Sequence, residues 1–548
     1  MSEVRLRLWI ETAIDVLKKN GVIGQDLQVE IELERPARPE HGHFSTNLAL
    51  VLAKEAGTSP RQLAETLVDN LSPSDLVIKT EVAGPGFINF FLSDKWIYET
   101  ILEIAAKGAE YGRSTSGGGT RIQVEFGSAN PTGPLHVGSG RNIAYGDALA
   151  RLLESKGHNV SRENYLNDVG NQVDRLARSV NARYLQALGH EAAVPDDGYQ
   201  GEYLIDLGKE LAEQEGMGYI DNLEEIRKFS IERIIESQRQ TLEKFGVVFD
   251  NWFREQSLHD SGQVLAGIDR LTQLGFTYES EGALWFKGSE AGAPRNQPLI
   301  KSNGDSTYLA ADIAYLIDKV ARGFDKAIYV WGADHHGNVA TTIAAARVLG
   351  LEDRIEILMY QLVNFIEDGA AVRMARRRGN IITMDDLIDE VGADAARFTF
   401  LNRNIDSTID FDFEIVKQQS QDNPVYYVQY AHARTCSILR YATDQSLSMT
   451  PPSETEISML IHDSEQALLR KLSEYPSLIE EAATLRAPYR LTNFSHALAS
   501  LFSAFYRDCR VITEDISLTA ARLRLVDCTR QVLSNCLGIL GITAPDRM

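Results

Sequence analysis

RIQVEFGSANPTGPLHVGSGRN, Arg121 to Asn142, alternates apolar and polar residues up to Gly127, breaks into a Pro/Gly-rich turn, and then opens a helix. Ile122, Val124 and Phe126 share one face at the period of two expected of a strand. The turn presents backbone N–H groups at a helix start, where an anion is favoured, and it sets His136 over that position. The same pattern also suits an ordinary strand–turn–helix crossover with a polar cap. The rest of the chain has to separate the two readings.

Strand and helix signals alternate downstream of this stretch. The helix through NIAYGDALARLLESKG closes at Gly157, and HNVSRENYLND supplies the next strand. FDKAIYVWGADHHG gives an apolar strand ending in a second polar turn, followed by the helical NVATTIAAARVLG and the strand-like RIEILMYQLVNF. Strands alternating with helices predict an α/β doubly wound parallel sheet, Rossmann-like, whose ligands bind at the carboxyl ends of the strands. The turns after Phe126 and after Trp331 both lie at such ends.

Upstream, residues 1–112 open on a charged amphipathic helix, then alternate like strands in LQVEIELERP and FINFFLS, which predicts an α+β domain. STSGGGT, Ser114 to Thr120, is the clearest linker. The sheet domain then covers 120–420, with an insertion at about 173–290. Beyond residue 420 strand signals vanish, and 421–548 reads as an all-α helical bundle.

A chain of 548 residues is too long for one core, so roughly three domains fit its length. No apolar run reaches the ~18 residues of a membrane span, and the charged N-terminus is not a signal peptide. Cys436, Cys509, Cys528 and Cys536 lack CxxC spacing and read as buried thiols of a cytoplasmic protein. A net charge of −22 argues against a chain that coats nucleic acid nonspecifically. Local basic surfaces survive: residues 482–548 carry eight Arg, no Lys and five acidic residues, and RMARRRG places four Arg in seven residues.

NPTGPLHVGS resembles the His-x-Gly-His signature of class I aminoacyl-tRNA synthetases, and VRMARRRGN resembles their Lys-Met-Ser-Lys-type loop. VEFGSANPTGPLHVG, RENYLNDVGNQ, TYLAADIAY, VWGADHHG, NPVYYVQYAHAR and the terminal APDRM, in that order, are similar to arginyl-tRNA synthetases. Three positions depart from the signatures. Ser139 replaces the second histidine, and Ala375 and Arg376 stand for the usual Ser and second Lys.

The resemblance implies arginine activation with ATP, then transfer to tRNA. It casts His136, Ser139, Arg373 and Arg376 as catalytic phosphate-binding groups, with Pro131, Gly133, Gly138, Gly332, Asp334, His335 and Met374 around the nucleotide. Arginine would be held by Glu125 and Asn130 at its backbone end and by Tyr308, Asp312 and Glu255 at its guanidinium, with His335 bordering the pocket. Tyr308 and Asp312 have helical i, i+4 spacing, so one face can present both. Tyr426, Tyr430, Arg522, Arg524 and Met548 would touch tRNA.

Mg²⁺ is implied on the ATP phosphates. No protein-held metal is expected, because the adjacent His335 and His336 lack carboxylate or cysteine partners at ligand spacing. The expected partners are tRNA, arginine and ATP, with no membrane, for a monomer in the cytoplasm. The competing reading is a noncatalytic tRNA-binding or regulatory paralogue on the same scaffold.

Overall fold

The computed structural model describes residues 2–36, 38–93, 95–367, 370–371, 383–447 and 453–548. Contacts divide the chain into two compact units. One comprises Met1–Tyr111, Arg434–Tyr475 and Ser500–Val532, and the other Gly112–Ala433, Pro476–Ala499 and Leu533–Met548.

In the first unit, helix Ser2–Lys19 buries Leu6, Ile10, Ala13, Ile14 and Leu17, the stripe that its sequence periodicity calls for. Strands β1 (Phe44–Thr46), β2 (Val77–Ala83) and β3 (Phe87–Leu92) form an antiparallel sheet in the order β1-β3-β2. FINFFLS is thus a strand. LQVEIELERP is not: only Glu34 makes an isolated bridge, to Ser45. Its alternation of inward and outward residues persists, but among the described residues no neighbouring strand offers the rest of a ladder. Helix Pro60–Asp69 starts in a capping box formed by Ser59 and Gln62.

The second unit is built on five parallel strands: β4 (Arg121–Glu125), β5 (Asn159–Leu166), β6 (Asn251–Arg254), β10 (Lys326–Gly332) and β11 (Ile355–Tyr360). Their order is β11-β10-β4-β5-β6, so the winding reverses between β4 and β10. Ligands of doubly wound sheets bind in the crevice opened there. Helix Gly140–Ser155 follows β4 and is almost wholly buried. It lies so close to the strand that a Cβ at Gly146 would stand 2.1 Å from Phe126 Cγ. Any other residue there would push helix and sheet apart.

The segment expected as an insertion contributes more than a detour. It begins with helices Asn171–Ala187, Tyr203–Glu215 and Leu223–Lys244, then returns as the edge strand β6. A three-stranded antiparallel sheet follows, of β7 (Thr277–Ser280), β8 (Ala283–Phe286) and β9 (Gln297–Ile300). RIEILMYQLVNF is two strands: β11 pairs in the parallel sheet, and Val363–Glu367 joins another small sheet beside Ile409–Asp412. The elements described from residue 424 onward are helical. All four thiols are buried, and among the described residues no helix is long and apolar enough to cross a membrane.

Candidate active site

A cavity of about 400 Å³ opens at the carboxyl ends of β4 and β10, at the reversal of the winding. Glu125, Asn130, Ser139, Glu255, Tyr308, Asp312, Gly332, Asp334 and His335 all line it. Most of these residues meet because β4, β6 and β10 end on one edge of the sheet, while Tyr308 and Asp312 come from the first turns of helix Tyr308–Ala321. Gly127, at φ +70°, turns the chain out of β4. Asn142 accepts a hydrogen bond from the Gly127 N–H and donates from Nδ2 to Val330 O at 2.7 Å, which ties the two strand ends across the crevice.

The turn that carries His136 is held from several sides. Tyr203 Oη donates to Thr132 O at 2.7 Å, and Gln238 Nε2 donates to Gly133 O at 2.9 Å and Asn130 O at 3.2 Å. Asn130 Nδ2 donates to Gln172 Oε1 at 2.9 Å. His136 caps the short helix Val137–Ser139, its Nδ1 accepting from Gly138 N at 2.9 Å. An accepting Nδ1 leaves the proton of the neutral ring on Nε2, which can then donate. Thr383 pairs with His136 through an isolated antiparallel bridge, and Met384 N donates to Leu135 O at 2.8 Å. The chain therefore re-emerges from the arginine-rich segment directly beside the first signature. Arg373, Met374 and Arg376 themselves lie outside the described residues.

The far end of the cavity concentrates negative charge. Asp312 sits one turn after the exposed Tyr308 on helix Tyr308–Ala321, and both line the cavity. Glu255 follows β6 and is 3% exposed. Burial, with the carboxylates of Glu255 and Glu125 close by, pushes the Asp312 carboxyl up to about 7. Burial also raises Glu255, against the opposing influence of Tyr165 and His259. His259 Nε2 lies 3.7 Å from Glu255 Oε1.

Below the cavity floor, Lys319 Nζ donates to Glu125 Oε2 at 2.5 Å. The ammonium lies 3.6 Å from the centroid of the Tyr329 ring and 4.1 Å from that of Tyr315. Burial draws both partners toward their neutral forms, Glu125 upward and Lys319 downward. Tyr315 hydrogen-bonds Glu163, which also receives two bonds from Arg322, at 2.6 and 2.9 Å. Burial would raise Glu163, yet the Arg322 bonds and the Lys319 charge outweigh it and hold the carboxyl low. Glu125, Glu255 and Asp312 bring three carboxylates to the cavity, and the Lys319 ammonium is bonded to one of them. A cavity so built suits a cationic ligand with donors at both ends.

Lys319, Tyr315 and Asn142 were absent from the residues expected from sequence, and so was Arg141. The buried Arg141 guanidinium donates to Gln361 O and Ser407 O at 2.7 Å and to Asn404 O at 2.8 Å. Three carbonyl acceptors make it a fastener of the surrounding loops.

On the nucleotide side, a Cβ at Gly332 would meet Asp334 Oδ1 at 2.4 Å and Tyr360 Oη at 3.1 Å, so the Asp334 side chain would have to swing away. His335 stands 6.0 Å from Trp331, ring to ring. Pro131 is buried within the turn, while Gly133 and Gly138 are half-buried.

The residues expected to touch tRNA occupy varied settings. Tyr426 and Tyr430 stack at 6.2 Å with an interplanar angle of 10°, and Tyr430 is exposed. Arg522 is committed to Glu465 at 2.7 Å and to Arg510 O at 2.8 Å, and Arg524 to Asp527 at 3.1 Å. Met548 is exposed. His43 accepts from Leu92 N at 3.0 Å, and His432 contacts Pro545 O at 2.9 Å.

Residues 100–435 match the class I tRNA synthetase (R) catalytic domain, residues 8–92 the arginyl tRNA synthetase N-terminal domain, and residues 428–548 the DALR anticodon binding domain. The chain is 44% identical to an arginine–tRNA ligase of Moorella thermoacetica, over 99% of this chain and 98% of that one. It is 46% identical to an arginine–tRNA ligase of Caldanaerobacter subterraneus subsp. tengcongensis, over 98% and 97%. Its fold is similar to that of the arginyl-tRNA synthetase of Thermus thermophilus, with a TM-score of 0.76 at 23% identity, over 99% of this chain and all of that one.

Proposed function

This chain belongs to the arginyl-tRNA synthetases of class I, and we propose that the cavity at the edge of its parallel sheet is where it ligates arginine to its cognate tRNA. The observation that carries the reading is the convergence of Glu125, Glu255 and Asp312 on one pocket with too little positive charge to balance them. The guanidinium enters toward Asp312 and Glu255, with Tyr308 at the mouth. The ammonium takes Glu125 and the side chain of Asn130.

MgATP is a substrate, its metal riding on the phosphates. Its adenosine lies toward Gly332, Asp334 and His335, and its phosphates lie over the turn Pro131–Ser139. The arginine carboxylate attacks the α-phosphorus, a new P–O bond forms, and the bond to pyrophosphate breaks. His136 Nε2 and the helix start at Ser139 and Gly140 donate to the phosphate oxygens as charge builds on them. Arg373 and Arg376 bind the departing phosphates through permanent charge, with Met374 between them. In the second step the terminal ribose hydroxyl of the tRNA attacks the arginyl carbonyl and AMP leaves. Tyr426, Tyr430, Arg522, Arg524 and Met548 belong to the tRNA-contacting surface, and the protein works as a cytoplasmic monomer.

The test is pyrophosphate exchange driven by arginine, run with and without cognate tRNA. Exchange specific to arginine supports the assignment, and its absence in the presence of tRNA would overturn it.

A further inference from the structure

Helix Leu223–Lys244 lies in the segment read from sequence as an insertion, yet it holds both the His136 turn and helix Met384–Val391. Gln238 is 2% exposed, and its amide donates to the carbonyls of Asn130 and Gly133 in the His136 turn. One turn further along, Thr241 Oγ1 donates to Asp385 Oδ2 at 2.5 Å. Lys244 Nζ donates to Asp385 Oδ1 at 2.8 Å. Asp385 lies in the first turn of helix Met384–Val391, the first helix after the arginine-rich segment.

A second strut, Tyr203, comes from the neighbouring helix Tyr203–Glu215 and grips Thr132 O. The tightness is visible at Gly133, where a Cβ would stand 3.1 Å from the Tyr203 hydroxyl. Two segments more than 240 residues apart in sequence are thus pinned to consecutive turns of one rod. An α-helix is stiff along its axis, so the separation of the two pins is fixed by its rise per residue.

We propose that Gln238 and Thr241 are positioning residues that hold the His136 turn in register with Thr383 and helix Met384–Val391, with Tyr203 and Lys244 in support. The proposal rests on reading the His136 turn as part of the ATP site. Reaction rates fall about a hundredfold for a misplacement near 1 Å, so a loosened rod acts on the chemical step. The arginine end of the cavity is carried by β4, by Glu255 after β6 and by helix Tyr308–Ala321, and neither Thr241 nor Asp385 is among the lining residues.

Wild-type protein and the variants Gln238→Leu, Thr241→Val and Thr241→Ser are compared in arginine-dependent pyrophosphate exchange with tRNA present, alongside arginine binding by calorimetry and thermal melting. Wild-type exchange establishes the ATP site itself, so its absence would count against the proposed function and not against the rod. Given wild-type activity, Gln238→Leu and Thr241→Val lower kcat about tenfold to a hundredfold. Thr241→Val keeps its arginine affinity within twofold, and Thr241→Ser, which retains the hydroxyl, recovers most of kcat. Leu and Val variants within twofold of wild type in kcat and in KM for ATP would overturn the proposal. So would a Thr241→Val protein that loses arginine binding and melting temperature together with activity, since that is damage to the fold alone.

Discussion

Lys319 and Glu125 form a buried ion pair at 2.5 Å under the arginine end of the cavity, with the ammonium against the rings of Tyr315 and Tyr329. Glu125 also faces the cavity, so one carboxylate answers to an internal cation and to the ligand. That double duty separates stability from binding in a measurable way.

Lys319→Met leaves Glu125 without its partner. Breaking one side of a buried pair costs about 3–5 kcal/mol, and urea denaturation should show a loss of that order. Glu125, already raised by burial, is raised further without the Lys319 charge and holds the ligand ammonium more weakly. The double variant Lys319→Met/Glu125→Gln should regain much of the stability, while arginine KM stays high in both proteins. Recovery of arginine affinity in the double variant would remove Glu125 from the ligand site.

Asp312 sets a pH dependence. Its carboxyl stands at about 7 in the empty cavity against an ordinary 3.8. The folded state therefore binds the proton more tightly than the unfolded chain, and this group's contribution to stability falls as pH rises through that window. Guanidinium needs the ionised form, so arginine KM should rise as pH drops below 7, approaching tenfold per unit, while KM for ATP stays level. Arginine should accordingly raise the melting temperature more at pH 8 than at pH 6. Asp312→Asn should flatten both trends and raise arginine KM at pH 8.

The Tyr308–Asp312 pair was readable because i, i+4 spacing is a local property of one helix, and the strand ending at Glu125 was readable from its period of two. Lys319 was not: in YLIDKVARG it looks like an ordinary helix-surface charge, and only the packing of Tyr315 and Tyr329 buries it. Asn142 was hidden for a similar reason. A polar residue early in a helix reads as a solvated position, whereas its acceptor Val330 is set by the pairing of β10 with β4. The β6 strand went unseen inside the insertion because four residues, NWFR, are too few for periodicity to show.

Asn142→Leu tests the tie across the crevice. It would orphan the Gly127 N–H and the Val330 carbonyl, at about 1–3 kcal/mol for each buried group left unsatisfied. Denaturation should report that loss. The strand ends it joins bear both substrate subsites, so KM should rise for arginine and for ATP together. A change confined to one substrate would show that the strand ends are held without Asn142.

His136 is the group on which the phosphate chemistry turns. Its Nδ1 accepts from Gly138 N, so the ring is oriented with the proton of its neutral form on Nε2. The backbone bridge to Thr383 sets His136 beside the residue at which the chain returns from the arginine-rich segment. Loss of one such preorganised donor typically costs about 10²–10³ in kcat, and His136→Ala should fall by that order in adenylate formation with arginine affinity nearly unchanged. Ser139→Ala should fall less. Ser139 lines the cavity, but its hydroxyl makes no side-chain cap hydrogen bond to helix Gly140–Ser155 that would orient it. Arg376→Ala should act on kcat more than on KM for ATP, because its charge counts most as pyrophosphate departs. Pyrophosphate exchange on the three variants, at saturating arginine and tRNA, ranks them directly. A His136→Ala enzyme as fast as wild type would reduce the turn to a crossover and move the phosphate donor elsewhere.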